Sequence, residues 1–569
     1  MLQLRTKSDM NETDPKIDSD SGVEDSEVEA RPTSRISGFY RMSLDERLAC
    51  LRDEGIIDSD DARLLAERAG GLERETANKM VENCIGVFEL PLGLGLNFTI
   101  NDTDYVVPMA VEEPSVIAAV SHCAKIVRKS GGFDSSCESN VMIGQIQVVG
   151  CSDFEAAKES VLAHRAELVE MANKFEPNMV ARGGGAKDIE VRILDEGDYR
   201  KMLVVHVLID AVDAMGANLV NTMAEGIAPR VEELAGGSVF LRILSNLADK
   251  RLVRSSCKIP FEDLAWKGYS GEQVAKGIAA ASEFAETDPY RATTHNKGIM
   301  NGISSVCIAT GNDWRAVEAG AHAYCARDGQ YRPMAVWYVE DDCLVGELEV
   351  PMQVGTVGGP IRLHPTVQLA HRVLRIDGAR ELAQVMGAVG LAQNLGALKA
   401  LATEGIQRGH MSLHARSVVA AAGATPEIFE TVVDRLIESG EIKIWKAREL
   451  IEEVAKPRVE SGEAPAEKTE TVTEERNVSG GHGKIILLGE HAVVYGRHAI
   501  ATPVPLAIQA HVQRGGDGVE LIIPRWGVEQ RLHRSAEKQH SFEKSLAMLF
   551  RTLGLERESM RVEIFPNVP

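Results

Sequence analysis

Between residues 143 and 244 two hydrophobic periods alternate, and that alternation restricts the possible folds more than any other feature of the chain. Residues 143–149 make a strand-like apolar run, 153–175 carry helical spacing, and Ile189, Val191 and Ile193 alternate as one face of a strand does. A strand-like run over 202–209, helical spacing over 213–234 and a short apolar run over 239–244 follow. The order β-α-β-β-α-β predicts a ferredoxin-like unit and not a Rossmann one.

The rest of the chain must build other domains, because 569 residues exceed what one core supports and three or four domains are expected. An apolar fraction of 44% is that of a globular protein, and a formal charge of −22 argues against non-specific affinity for nucleic acid or an anionic membrane. Residues 1–35 are acidic and poor in aromatics, the pattern of a disordered tail. Nothing there resembles a signal peptide, and no apolar run reaches the roughly 18 residues of a membrane helix. The nine cysteines are scattered without a CxxC pair. Neither a metal site nor a disulfide framework is expected, and reduced thiols suit a cytoplasmic protein.

Ser43-Leu-Asp-Glu46 reads as a capping box, an apolar glycine-containing segment spans 82–97, and a helix is expected after Pro114. Residues 291–365 are glycine-rich and mixed, and 380–455 read as helical. Residues 456–479, rich in Glu, Thr, Pro and Ser, form a linker, and Gly480 opens a different module.

Several segments could carry chemistry. Arg291-Ala-Thr-Thr-His-Asn-Lys-Gly-Ile-Met-Asn301, with Gly311-Asn-Asp313 close behind, places a lysine, a histidine, asparagines and a carboxylate near small residues. A lysine set close to an aspartate can present a fixed positive charge to an oxyanion, although solvated loops hold the same ingredients. Glu112-Glu113-Pro114-Ser115 offers either a general acid or a plain acidic first turn. Asp213-Ala-Met-Gly-Ala-Asn218 opens a helix whose exposed N–H groups could hold a phosphate or simply be capped. The glycines 183–185 do not make a dinucleotide fingerprint, and a lone histidine such as His410 is more often structural or simply exposed than catalytic.

Taken together, residues 36–455 resemble 3-hydroxy-3-methylglutaryl-CoA reductase of the class II, bacterial type. The motifs are Glu82-Asn-Cys-Ile-Gly86, Glu112-Glu-Pro-Ser115, Asp213-Ala-Met-Gly-Ala-Asn218, Asn221-Thr-Met-Ala-Glu225, the 291–301 stretch, Gly311-Asn-Asp-Trp-Arg-Ala-Val-Glu-Ala-Gly320, Ala392-Gln-Asn-Leu-Gly396 and Gly409-His-Met411. The resemblance implies an α+β multidomain protein. A helix-centred large domain (36–140 and 246–400) binds HMG-CoA, an inserted ferredoxin-like domain (141–245) binds NAD(P), and a helical flap spans 401–455. It also implies an obligate homodimer with active sites at the interface, open to higher oligomers, and reduction of HMG-CoA to mevalonate and free CoA by two NAD(P)H.

The implied roles follow position by position. Lys297 stabilises the oxyanion, Asp313 holds Lys297, Glu113 gives the proton of the second reduction, and His410 protonates the CoA thiolate. Arg291, Ser115 and Asn301 contact the HMG carboxylate and hydroxyl. Asp213, Met215, Gly216, Asn218 and Asn246 bind the nicotinamide side. Glu176 falls where some relatives set a carboxylate against the adenosine ribose, which favours NADH; Lys174 or Arg182 could instead receive the phosphate of NADPH. A catalytically silent scaffold that keeps the fold is the competing reading, disfavoured by four intact catalytic positions.

Residues 480–569 resemble the start of a GHMP-superfamily mevalonate kinase, on Gly483-Lys-Ile-Ile-Leu-Leu-Gly-Glu-His-Ala-Val-Val-Tyr-Gly496 and Ala501-Thr-Pro503. The resemblance places Lys484, Glu490 and His491 along that module's substrate site. Its phosphate loop and catalytic aspartate are not in the sequence, so the expectation is a fragment of a bifunctional enzyme, without kinase activity.

Overall fold

The structure, a computed structural model, describes residues 31–67, 71–196, 200–403, 405 and 415–455. It also describes the backbone of 477–488, 500–514, 519–523, 528–531 and 560–566. The expected tail over 1–35 is described only from residue 31 and the linker over 456–479 only from 477. The chain divides into two compact units at residues 414 and 415.

Residues 141–245 of the first unit form a four-stranded antiparallel sheet in the order Gly185–Leu194, Met202–Asp210, Val141–Val149, Ser238–Ser245. The elements follow strand–helix–strand–strand–helix–strand. The single helix read over 153–175 is broken at His164, whose backbone leaves helical geometry while its Nδ1 meets the carbonyl of Ser160 at 2.8 Å. Asp153 caps the first piece through the N–H groups of Glu155 and Ala156. Where the second piece meets the sheet, Gly185 has φ +91° and a Cβ there would stand 2.3 Å from Asn173 Oδ1. That amide accepts from Ala186 N–H at 2.7 Å and so fixes the strand's start. Met142, Ile146, Leu203, Val207, Met223 and Ile227 fill the core of this unit with no exposed surface.

A second antiparallel sheet runs Asp134–Cys137, Leu252–Pro260, Cys343–Pro351, Ala335–Glu340. It shares a core with two long helices, Pro289–Ala309 and Ala379–Ala402. The region read as glycine-rich and mixed is therefore helical where it matters. One glycine on each helix allows close approach: a Cβ on Gly390 would lie 2.8 Å from Ile303 Cδ1, and one on Gly302 would lie 3.0 Å from Gln393 Cβ. The Ala379–Ala402 helix is long and apolar enough to cross a bilayer, contrary to the sequence reading, but 72% of its apolar window is buried inside the protein. It packs as a core helix. Its polar Asn394 accepts from Trp337 Nε1 at 2.7 Å, which settles a buried indole.

The capping box at Ser43 forms as read: Glu46 N–H donates to Ser43 Oγ and Ser43 N–H donates to Glu46 Oε2 at 2.7 Å. The helix expected after Pro114 spans Val116–Arg128, starting one residue later because Ser115 adopts φ +74°.

In the second unit, helices Pro426–Ser439 and Ile444–Ala455 bury Val432, Leu436, Ala447 and Leu450 around Ala415 and Val419. A five-stranded sheet follows, in the order Asn477–Leu488, Ile500–Arg514, Met560–Pro566, Val519–Ile523, Val528–Arg531. Lys484 lies on its first strand, opposite Pro503. Glu490 and His491 lie outside the described residues, as does His410.

Candidate active site

The site grows from the helix Pro289–Ala309. Asp288 accepts from Tyr290 N–H and Pro289 takes the first helical position, where its missing N–H costs nothing. Helical spacing then carries Arg291, Thr294, Gly298 and Asn301 along one face. Across from it comes the turn after strand Thr103–Ala110, which delivers Glu113 and Ser115. The third wall is the helix Ala379–Ala402, through Gln393 and Asn394. These walls enclose a cleft of about 410 Å³, lined by Glu113, Ser115, Arg291, Lys297 and Asn301 among others.

The five residues were separated in sequence by almost 190 positions, and the fold gathers all of them. Lys297 Nζ donates to Glu113 Oε2 at 2.8 Å, and Asn301 Nδ2 lies 3.3 Å from both oxygens of the same carboxylate. The lysine side chain keeps 61% of its surface exposed and the glutamate 38%. An ion pair that open adds about 0–1 kcal/mol to stability. Folding alone therefore does not account for a lysine, a glutamate and an asparagine converging over a cleft. Arg291 is half-buried, and desolvation lowers its pKa.

The expected tie between Lys297 and Asp313 is not made within one chain. Asp313 caps the next helix, Trp314–Cys325, accepting from Arg315 N–H at 3.1 Å and Ala316 N–H at 3.2 Å, and it pairs with Arg315 Nε. Twelve residues of helix separate Lys297 from Ala309, an axial rise of about 18 Å. A lysine on the same chain cannot span that.

Asp213 also differs from its reading. The helix expected from residue 213 is Ala217–Ala235, capped by Gly216 at φ +101°. Asp213 stands outside it, and its Oδ1 accepts from Ala379 N–H at 3.0 Å, at the start of another helix. It lines a second cleft of about 410 Å³ with Asn140, Arg182, Asp210 and Arg380. Met215 belongs to the same turn, while Asn218 is exposed on the first turn of the helix that follows. Asn246 is exposed and gives its backbone carbonyl to Gln353 Nε2 at 2.9 Å. Glu176 ends the helix Arg165–Phe175 and makes no side-chain cap to the next.

The residues present fit a dinucleotide. Two guanidiniums, Arg182 and Arg380, line the second cleft beside four carboxylates, Asp210, Asp213, Asp377 and Glu381; the arginines could meet a diphosphate and the carboxylates ribose hydroxyls. Asn140 is 4% exposed and its Oδ1 has no hydrogen-bond partner, leaving an acceptor for a hydroxyl.

The sequence motifs contain Thr294, His295, Gln393 and Asn394 but give none of them a role. All four line the reaction cleft. For Gln393 and Asn394 the signal was a polar pair in the apolar middle of a helix, between Val385 and Leu398. His295 is 2% exposed, with no hydrogen bond of good geometry at either ring nitrogen. Desolvation and the charge of Arg291 push its pKa down to about 4, with the Ala335 backbone pulling the other way.

Comparison with known proteins bears on this geometry. Residues 43–415 match the family model for hydroxymethylglutaryl-coenzyme A reductase. The chain is 48% identical over 422 residues to 3-hydroxy-3-methylglutaryl-coenzyme A reductase of Archaeoglobus fulgidus, covering 74% of this chain and 94% of the relative. It is 35% identical over 365 residues to a probable reductase of Borreliella burgdorferi, covering 63% and 81%. Among solved structures it is similar to the reductase of Streptococcus pneumoniae, with TM-score 0.64 and 42% identity over 74% of this chain and 99% of that one. A class II reductase from the same organism, bound to NADPH in open conformations, matches with TM-score 0.63 and 44% identity over 64% and 99%.

Proposed function

The chain belongs to the hydroxymethylglutaryl-CoA reductase family, and from that premise we propose how its own residues carry the reaction. It is an HMG-CoA reductase of the class II type, an oxidoreductase that uses a nicotinamide cofactor. The observation that carries the residue roles is the Lys297–Glu113–Asn301 contact over the cleft that Ser115 and Arg291 also line.

The carboxylate of the HMG group meets Arg291 and Ser115, and Asn301 takes its hydroxyl. This holds the thioester carbonyl near Lys297. Two molecules of NADH or NADPH, bound in turn, would supply the two hydrides, one each. Lys297 stabilises the alkoxide formed when the carbonyl is reduced, a fixed charge aimed where negative charge develops. Collapse of that alkoxide releases an aldehyde and the CoA thiolate, which His410 protonates. In the second reduction Glu113, within hydrogen-bond reach of Lys297, gives the proton to the new alkoxide and mevalonate forms.

The cofactor loop of the proposal is 213–218, with Asn246 beside it and Glu176 toward the adenosine ribose. Glu176 carries the preference for NADH in this reading, since a carboxylate accepts from a 2′-hydroxyl and repels a 2′-phosphate. The active dimer is part of the same reading. Ile85 is 98% exposed and Phe88 89%, on a segment without regular structure, an apolar face that a second copy would cover. Asp313, out of reach of its own Lys297, would meet the lysine of the second protomer. Nine free cysteines suit a cytoplasmic location. The start of a mevalonate kinase at 480–569 rests on residues 483–496 and 501–503.

A coupled absorbance assay tests the whole. Purified protein should oxidise NADH faster than NADPH, and only when HMG-CoA is added; oxidation independent of HMG-CoA would refute the mechanism.

A further inference from the structure

Arg251 is the largest side chain in the described protein with no exposed surface at all. It sits on the crossing between strand Ser238–Ser245 and strand Leu252–Pro260, where the chain leaves the four-stranded sheet of residues 141–245. Among the described residues no carboxylate pairs with it within salt-bridge distance, which is unusual, because a buried charge costs several kcal/mol unless something compensates it. The hydrogen bonds that compensate it come from backbone, and the charges of Asp210 and Asp213 act on it from a greater distance. Nη1 donates to the carbonyls of Ala214 at 3.2 Å and Met215 at 3.4 Å, and Nη2 donates to the carbonyl of Val354. Nε has no partner.

Those carbonyls belong to two segments that meet with few hydrogen bonds of their own. Thr356 N–H donates to the Asp213 carbonyl at 2.8 Å, and an isolated bridge joins Ala214 to Val357. Gly355 lies so close that a Cβ would come within 2.5 Å of Met215 N. The turn itself is held open at both ends by left-handed residues, Val212 at φ +51° and Gly216 at φ +101°. Its carbonyls point inward to the guanidinium, and Val212 and Asp213 of the same turn line the second cleft.

We propose that Arg251 is the positioning residue of the cofactor loop, clamping the carbonyls of residues 214 and 215 to that of residue 354 and so fixing where Met215 and Gly216 meet the dinucleotide. The proposal rests on the reading of 213–218 as that loop. A planar fork with donors in two directions is needed, because one ammonium cannot serve both segments in fixed geometry. The buried charge is the cost of a loop preorganised before the ligand arrives.

The test uses the full chain. Fluorescence titration gives the Kd for NADPH and NADH, calorimetry gives that for HMG-CoA, and thermal melting reports folding. Arg251→Lys should weaken nicotinamide binding roughly 10- to 100-fold, the scale of hydrogen bonds to a charged group, and leave HMG-CoA affinity within about twofold. Unchanged nicotinamide affinity would overturn the proposal, and so would an equal loss for both ligands, which marks a merely structural residue. Arg251→Ala should regain nicotinamide affinity when methylguanidinium is added. If the lysine variant fails to fold, this rescue decides, and its absence counts against the proposal. Asp213→Asn and Gly216→Val separate the two layers of the argument. Should they leave nicotinamide affinity intact, the loop assignment has failed; should they weaken it while Arg251→Lys does not, only the role of Arg251 has.

Discussion

Around Lys297 the chemistry is carried by side chains on a regular helix, whereas around Met215 it is carried by the backbone of an irregular turn. In the first region Arg291, Lys297 and Asn301 project from one 21-residue helix, and their spacing follows from helical geometry alone. In the second, position is set by residues far away in sequence: Ala379 binds Asp213 across 166 positions, and Arg251 holds Ala214 and Met215. A side-chain site on a rigid element can lose one group and keep its frame. A backbone site loses its shape when any support goes.

The same contrast decides what could be read in the sequence. The groups of the reaction cleft were legible because lysine, glutamate and asparagine declare their chemistry by type, and the motif order supplied the family. The alternation over 141–245 was legible because period 2 and period 3.6 differ strongly. Asp213 was read as opening the helix that follows it, since a capping aspartate before small residues has that local signature; its real partner is a helix start that no local pattern indicates. Asp313 was placed beside Lys297 by the family resemblance, but within one chain the intervening helix carries the two apart. The 291–309 helix itself went unread because Gly298 and Gly302 look like breakers, and only the packing of Gly302 against the partner helix shows why a glycine stands there.

If the contrast holds, Lys297→Ala separates chemistry from stability. Turnover should fall roughly 10²- to 10³-fold or more, the cost of removing an oxyanion donor. The unfolding free energy should stay within about 1 kcal/mol, since the pair with Glu113 is largely exposed. Steady-state kinetics and denaturant melts read both. A variant that loses stability along with activity would break the distinction, and one that keeps its activity would remove Lys297 from the mechanism.

His295 sharpens the comparison through pH. Its folded pKa lies at about 4 and the ordinary value is 6.5, so the unfolded chain takes the proton first as pH falls. Stability is therefore complete above about 6.5 and declines as pH drops toward 4, by up to about 3 kcal/mol from this group. The charged neighbour that opposes protonation is Arg291, one helical turn away. His295→Gln should flatten the loss seen between pH 6.5 and 5 in denaturant midpoints. An identical slope in the variant would show that the imidazole gains its proton without cost and that the cleft wall is softer than the helix suggests.

The smallest effect in free energy belongs to the turn, and it tests the backbone half of the comparison most directly. Val212 is β-branched at φ +51°, a conformation that costs an L-residue roughly 1–2 kcal/mol. It is kept there because its N–H donates to Asp210 Oδ1 at 2.9 Å and Ala214 N–H closes the turn onto the Ala211 carbonyl. Val212→Gly removes the strain but gives the unfolded chain more freedom and loses a packed methyl beside Gly184, so the net change in stability should stay within about 1 kcal/mol. Nicotinamide affinity should nevertheless fall, because glycine lets the turn sample shapes that valine forbids. Equal affinity in the two proteins would mean that residue 212 only tolerates the turn, and that Arg251 and Gly355 hold it without help.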